Sequence, residues 1–502
     1  MLAGLLECRL MNQNIANTKT HTDRQPKAML PLCATEMWER FGFYIIQGML
    51  IFLITNYFQL SDSQAVLITG EYGALVYISP ILGGYIADNY LGFRYSILVG
   101  ACFQCLGYAL IATLSYSLMF WGLASVIVGN GLLKPNIASY LGEFYEIDDA
   151  RRHAGFTYYY MIMNFGTFAS TLSVGFIQKA WGWHICFAAA AIGMIIGMII
   201  YLSNTKRFGN KGLPIRNDLL YGKRRLYFIS LFIIGCAAIA TMCYFLLMHA
   251  AMGNSILLAI AGIVFIYLII LALSFHDQQR RNLIALIWLI LFAIIFWAIF
   301  FEMFSVVNLF VERNVERKVL GITIPPIAFI SLESVFIVIL GVPLAILWKH
   351  LHHKQRNPNI ALKFALSLFA LAVAMHLLTY AIIDHNLNYL VLPGWMIAFY
   401  LLLTLGEMLL SPNILSAVTE LSPTKIVGLM MGVQYMAIGF GSSITGILGQ
   451  IAAIPKGITN PQITNAIYSH AFNVYALICL GTGLMVLASA PFIKQLITPN
   501  TA

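Results

Sequence analysis

Charge is what this chain has least of. Only ten per cent of its 502 residues are Asp, Glu, Lys or Arg, where a water-soluble domain carries about a quarter. Nucleotide-binding glycine loops, nucleophile elbows and zinc-ligand patterns are missing too, which leaves a membrane-embedded enzyme without its chemistry. Cysteine is sparse: eight residues, scattered along the chain. Cys102 and Cys105 have CxxC spacing, but no second pair or histidine cluster completes a metal site, so they read as buried small residues. No cleavable signal pattern precedes the first apolar stretch, and residues 1–28, polar and mixed, read as a mobile cytoplasmic tail. The alternating segments of about ten residues that would mark a membrane β-barrel are absent as well.

Apolar residues are what the chain has in excess, at 60% of the sequence with a mean hydropathy of +0.82. Runs of roughly 20 apolar residues recur along its whole length. They begin near residues 36, 64, 95, 117, 156, 182, 226, 254, 284, 326, 361, 391, 426 and 467. The expected class is an all-α integral membrane protein with 14 transmembrane helices. With both termini cytoplasmic, only Lys179, Arg313, Arg317, Lys318 and Lys456 of the loop cations fall outside, which is the usual positive-inside bias. The strongest block is Lys206, Arg207, Lys211, Arg216, Lys223, Arg224 and Arg225. The net charge of +9 therefore reads as topology and not as nucleic-acid binding.

That basic loop, residues 204–225, separates a six-helix unit over 29–203 from the remainder. Two short-looped helices follow within 226–275, carrying only His249 at their outer turn. They are expected at the periphery, without transport chemistry, and His249 is expected to be exposed. Six more spans fill 276–502. Two six-helix halves with a site between them is the major-facilitator plan, in which one half rocks against the other. PILGGYIADNYLGFRYS (80–96) resembles the loop motif of that superfamily. Gly83 and Gly84 there allow close helix approach. Asp88 and Arg94 bracket the turn, poised to pair with the start of another helix.

Ionisable groups inside the spans are the candidates for function. In TEMWERFGFYIIQGMLIFLITNYF, Glu36, Glu39 and Arg40 fall on one side of a helix, and the stripe continues through Tyr44 to Gln47. Lys134 is the lone cation of its helix and needs a carboxylate partner, with Glu36 or Glu39 the expected choice. Asn164 shares a stripe with Thr157, Tyr160 and Thr167, and such a stripe also serves as interhelical glue. Tyr77 points a hydroxyl into the same cavity or satisfies it locally. Glu407 shares a stripe with Thr404 and Ser411. Five carboxylates (Glu36, Glu39, Glu302, Glu333, Glu407) face two cations, so at least one should carry a proton.

Together the motifs resemble the proton-coupled oligopeptide transporter family over nearly the whole length, including the two extra central helices of bacterial members. They are ExxERF at Glu36–Phe41, GNGLLKPNIAS around Lys134, FTYYYMIMNFG around Asn164, FWAIFFE around Trp297, GEMLLSP around Glu407, and MMGVQYMAIGFGSS. The resemblance implies a cavity-facing Glu407 that binds the substrate's amino terminus, a functional Lys134 and a substrate-facing Asn164. Arg40 and Lys134 would hold the peptide carboxylate. Four positions depart from the pattern. Gln47 replaces a cation. Phe301 stands at the acidic position after Trp297, with Glu302 one residue later, about 100° round the helix. Glu333 replaces an asparagine, and Gln434 a tryptophan.

The implied function is import of di- and tripeptides by proton symport with alternating access, without a cofactor, by a multi-pass inner-membrane protein working as a monomer. The partners are peptide, protons and the bilayer. The departures keep open another small organic solute (an amino acid, amine or nitrogenous metabolite), and proton-coupled export is the other alternative.

Overall fold

The computed structural model describes residues 24–146, 149, 151–214, 225–356 and 358–497. Most of the expected tail, and Arg216, Lys223 and Arg224 of the basic loop, lie outside the described residues. Among the described residues the chain is helical apart from its loops and a short antiparallel hairpin that pairs Lys318–Val319 with Ile322–Thr323. The long helices are α1 Met29–Phe52, α2 Asp62–Ile86, α3 Gly92–Ala112, α4 Tyr116–Gly142, α5 and α6 within Arg151–Ser203, α7 Arg225–Met248, α8 Ala250–Leu273 and α9 Asp277–Phe300. They continue with α10 Ser331–His353, α11 Ile360–Ile383, α12 Pro393–Leu421, α13 Val427–Leu448 and α14 Pro461–Ile497.

Among the described residues, twelve continuous helical stretches are long and apolar enough to cross a membrane. Two of them, Asp62–Ala112 and Arg151–Ser203, run for 51 and 53 residues. At 1.5 Å per residue each is more than twice the roughly 30 Å of a hydrocarbon core. The first turns back at Gly92 (φ 68°) and the second at Gly182 (φ 83°), left-handed positions that suit glycine. The chain is thus a multi-pass membrane protein, consistent with fourteen crossings. Local chemistry sets other ends: Ser61 and Gln64 form a capping box on α2, Asn359 caps α11 by accepting from Leu362 N at 2.7 Å, and Pro393 opens α12.

Helix α1 packs along the α5–α6 stretch, α4 packs on α2 and α3, and α3 on α6. In the second half α11 packs on α12 and α14, α9 on α13 and α14, and α10 on α12. The halves meet where α2 crosses α13 and where the α5–α6 stretch meets α10. Small residues make the closest approaches. A methyl group on Gly83 would overlap the Gly131 carbonyl of α4, and one on Gly70 would lie 2.6 Å from Gly446 Cα of α13. Gly84 faces only Pro135, at 3.9 Å, so Gly83 alone requires glycine.

Three expectations change here. Cys102 is exposed on the helix surface, not buried. Of the pair, Arg94 alone reaches the start of another helix, the short one at Thr205–Phe208. Its guanidinium donates to Gly209 O (3.0 Å) and Thr205 O (3.2 Å), clamping the segment after α6, while Asp88 is exposed at the turn. The accessory pair α7–α8 is not wholly peripheral. Its outer face is exposed, His249 included, but α7 packs on α4 and α2 and α8 touches α2, α9 and α13.

Candidate transport site

On the N-terminal side the charged stripe of α1 is buried. Arg40 Nε lies 2.5 Å from Glu39 Oε2 and 3.5 Å from Glu36 Oε1. Gln104 of α3 donates to the other Glu39 oxygen at 2.9 Å. Tyr159 of α5 lies beside Glu36. One guanidinium thus serves two carboxylates, and the Gln104 amide meets the second oxygen of Glu39.

Lys134 is left without an ion pair. Among the described residues no salt bridge within 4.0 Å involves it. Its Nζ lies over the Tyr77 ring at 4.6 Å and 5.7 Å from the Phe43 ring centroid. The expected Glu36 or Glu39 partner is already taken by Arg40, one turn or one residue away on the same helix. A half-buried ammonium held by ring faces alone is available to a carboxylate that arrives from outside the protein.

The C-terminal side is acidic. Glu333 at the start of α10 and Glu407 of α12 lie beside each other in the membrane interior. Two neighbouring buried carboxylates repel when both are ionised, an arrangement that favours a proton on one of them. Between the two charged regions lies a ladder of rings. Tyr77 of α2 stacks on Phe301 at 5.3 Å, Phe301 on Trp297 at 5.6 Å, and Tyr44 meets Phe304 at 6.1 Å. Tyr44 and Tyr77 lie in the field of Arg40 on one side and of Glu333 and Glu407 on the other. The structure therefore brings Arg40, Tyr44, Tyr77, Lys134, Trp297, Phe301, Glu333 and Glu407 to one region between the bundles.

Other expected residues fall elsewhere or play quieter parts. Glu302 is fully buried within the second bundle, accepting from Ser305 Oγ at 2.5 Å and lying against Tyr475 of α14. Phe301–Phe304 form a 3-10 turn, so the step from Phe301 to Glu302 is about 120° and turns the carboxyl away from Glu407. Asn164 is half-buried and donates to the Tyr160 carbonyl at 2.9 Å. Tyr160, on the same face, lies near Glu407 and Glu333. Gln47 and Gln434 are buried, each with an amide oxygen that no protein donor reaches. Tyr159, Gln104 and Tyr435, which lies near Arg40 and Glu36, are site residues that the sequence reading passed over. Tyr159 sits in the quoted FTYYYMIMNFG run, beside the tyrosine that was picked.

A sixth carboxylate was also missed. Glu71 of α2 is fully buried, and neither oxygen meets a protein donor. The insertion-cost argument applied to α1 would have flagged it.

Two helical bundles with opposite charges facing across a shared region define a secondary transporter of major-facilitator architecture. A family model described as PTR2, the POT family, matches residues 94–466. The chain belongs to the POT family. It is similar to dipeptide and tripeptide permease A of Salmonella typhimurium, 30% identical over 483 residues covering 94% of this chain and 93% of that protein. The Erwinia pyrifoliae protein of the same name is 29% identical over 476 residues, covering 94% and 95%. The crystal structure of peptide transporter POT in complex with sulfate matches with a TM-score of 0.82 at 29% identity, covering 94% of this chain and 96% of that one. Tetrameric PepTSo2 matches with a TM-score of 0.82 at 26% identity, covering 93% and 99%.

Proposed function

We propose that the chain imports di- and tripeptides together with protons by alternating access. The observation that carries this reading is the placement of an unpaired Lys134 and a carboxylate-bound Arg40 opposite the neighbouring acids Glu333 and Glu407. A peptide zwitterion presents a carboxylate to the first pair and an ammonium to the second, so one molecule bridges both bundles and favours closure around itself. The relatives named as peptide permeases support the same cargo.

Proton coupling follows from competition for few cations. A proton arriving on Glu36 or Glu39 weakens its hold on Arg40 and frees the guanidinium for the peptide carboxylate. The proton on the Glu333–Glu407 pair leaves when an ammonium takes its place. Release of peptide re-forms both contacts. No cofactor is needed, because the gradient supplies the driving force. The site lies within one chain, so the transporting unit is the monomer. The division into bundles over 29–203 and 276–502, with an accessory pair over 226–275, belongs to the same proposal.

The basic residues after α6 support a cytoplasmic location for that end of an inner-membrane protein with both termini inside. In this conformation the opposite end is bonded shut. Arg313 holds Asp62 at 2.6 and 2.9 Å, Asn56 donates to Glu312 at 2.7 Å, and Lys456 donates to Gln59 O at 2.9 Å. The conformation then faces inward.

The test is uptake of labelled dipeptide into proteoliposomes holding the purified chain. An inward pH gradient should drive accumulation above equilibrium. Uptake indifferent to the gradient would overturn the coupling, and outward peptide movement against protons would make the protein an exporter. The doubled acid at Glu333–Glu407 favours, as a second reading, a cationic solute such as an amine. Competition of dipeptide uptake by a panel of amines, amino acids and tripeptides separates the two.

A further inference from the structure

The accessory hairpin is apolar along nearly all its length, and Ile256, Ile260, Ile263, Ile266 and Ile270 are exposed to the bilayer side. Among the described residues, its one buried polar side chain is Asn254, 1% exposed. Asn254 Nδ2 donates to Leu67 O of α2 at 3.3 Å as well as to its own helix at Ala250 O, and its Oδ1 accepts from Ser443 Oγ of α13 at 2.6 Å. One amide on α8 therefore bonds both bundles at once. It does so where they approach most closely, since Ser442 Oγ also donates to Gly70 O at 3.1 Å and Gly70 lies on Gly446.

Glu71 belongs to this same spot. Its side chain lies against Gly253, where an added methyl would sit 2.6 Å from Oε1 and 2.9 Å from Leu246 O. The glycine lets the carboxyl rest on the backbone of α7 and α8. From α7 the titratable group near it is the Cys243 thiol. From α8 the residue against it is Gly253, next in sequence to Asn254, and the α13 side chains bonded nearby, Ser442 to Gly70 and Ser443 to Asn254, are uncharged. Among the described residues no lysine, arginine or histidine pairs with it. An ionised carboxylate buried without a cation is strongly disfavoured, and the neutral acid is the form such a place accepts.

We propose that Glu71 and Asn254 make the accessory hairpin a proton-seated clasp across the two bundles, a second polar site separate from the peptide site. Alternating access tilts α2 against α13, so Asn254 cannot keep both bonds in both conformations. Its bonds to Leu67 and Ser443 hold the conformation seen here. Ionisation of Glu71 puts a charge under the hairpin and unseats it. The clasp rests on the transporter reading for its meaning, but two of its tests need no substrate.

The first test is infrared difference spectroscopy of the full chain in lipid at neutral pH, wild type against Glu71→Gln. The wild type should show the carbonyl band of an un-ionised carboxyl that the variant lacks. Loss of carboxylate bands instead, with no difference in the carboxylic-acid carbonyl region, would mean that Glu71 is ionised and overturn the proton's role. The second uses spin labels at Gln64→Cys and Gln462→Cys, across the bonded end. Asn254→Ala, or Ser443→Ala where the first fails to fold, should shift the distance distribution toward longer separations by about tenfold in population, the weight of one buried hydrogen bond. An unchanged distribution would overturn the clasp. Uptake then divides the cases further. The Asn254 and Ser443 variants should change the maximal rate while leaving the half-saturating peptide concentration within about twofold, as expected for an interaction outside the substrate site. A change confined to half-saturation would assign these residues to the peptide site and overturn the proposal. Absence of peptide uptake by the wild type would count against the transport reading and leave the spectroscopic and label results to judge the clasp.

Discussion

Arg40 and Lys134 are both cations in the membrane interior, yet they stand in different relations to their surroundings. Arg40 neutralises two buried carboxylates at 2.5 and 3.5 Å, while Lys134 rests on a tyrosine ring. Removing one partner of a buried ion pair costs about 3–5 kcal/mol because the other charge is stranded, whereas a cation–π contact contributes about 0.5–2 kcal/mol. Arg40→Ala should therefore lower the unfolding midpoint in detergent far more than Lys134→Ala. Lys134→Ala should abolish gradient-driven uptake in a protein that remains folded. Comparable destabilisation by the two would show that Lys134 has an ionic partner after all. Glu36→Gln and Glu39→Gln should each abolish concentrative uptake while sparing peptide counterflow, which needs no net proton movement; normal concentrative uptake in both would remove the α1 cluster from coupling. The α1 cluster was legible in the sequence because spacings of three and four report which side chains share a helix face. The partner of Lys134 was not, because nothing in a sequence says that a guanidinium one turn away has already taken both acids. The Glu333–Glu407 contact was hidden for a similar reason. It joins two residues more than seventy positions apart on different helices, and no periodicity links them.

Helices here are set apart less by their apolar faces, which resemble one another, than by where they touch. Gly83 and Gly84 are adjacent and identical in type, and both were read as points of close approach. Only Gly83 is one, since its neighbour is the Gly131 backbone, while Gly84 has ordinary contact with Pro135 at 3.9 Å. Adding bulk to a packed contact costs typically 1–3 kcal/mol. Gly83→Val should lower the thermal midpoint clearly and Gly84→Ala should leave it near the wild-type value. Equal effects would mean that α2 and α4 can separate freely at this crossing. The same limit governed the accessory pair. Asn254 lies four residues into α8, at the point where the sequence reading began that helix, and nothing in its spacing singles it out. Only the packing of α8 on both bundles shows it to be buried. Glu71 lies between Gly70 and Gly73 in an otherwise apolar segment, with no basic residue at helical spacing to draw attention to it.

At the scale of the whole molecule, the two bundles are joined by polar contacts at one end. Asp62 caps that end from α2, gripped by both guanidinium nitrogens of Arg313 and by the Ile454 amide at 3.2 Å. Ser63 donates to Gln450 at 3.1 Å beside it. At the other end the bonds join elements of a single bundle: Gln278 to the Leu496 carbonyl, Lys363 to Asn413, Arg94 to Gly209. A transporter that alternates must break the first set to expose the site on that side. Its resting balance therefore depends on how strongly that end is held. Hydrogen bonds to charged groups contribute about 1.5–3 kcal/mol, and each 1.4 kcal/mol is a tenfold change in an equilibrium. Asp62→Asn keeps the shape and one acceptor but removes the charge that Arg313 meets. It should raise the population open at this end by roughly tenfold to a hundredfold. The Gln64→Cys and Gln462→Cys label pair would report this as a growing long-distance component, and the substitution should cost little unfolding stability because the bonds lie at the rim between bundles, outside either core. Peptide, which bridges the bundles from within, should restore the short distance only in the presence of protons. If the distribution in Asp62→Asn matches the wild type, the Asp62–Arg313 contact is not what holds this end, and the apolar contacts of Gly175 with Pro325 and of Gly48 with Ile327 would have to be sufficient by themselves.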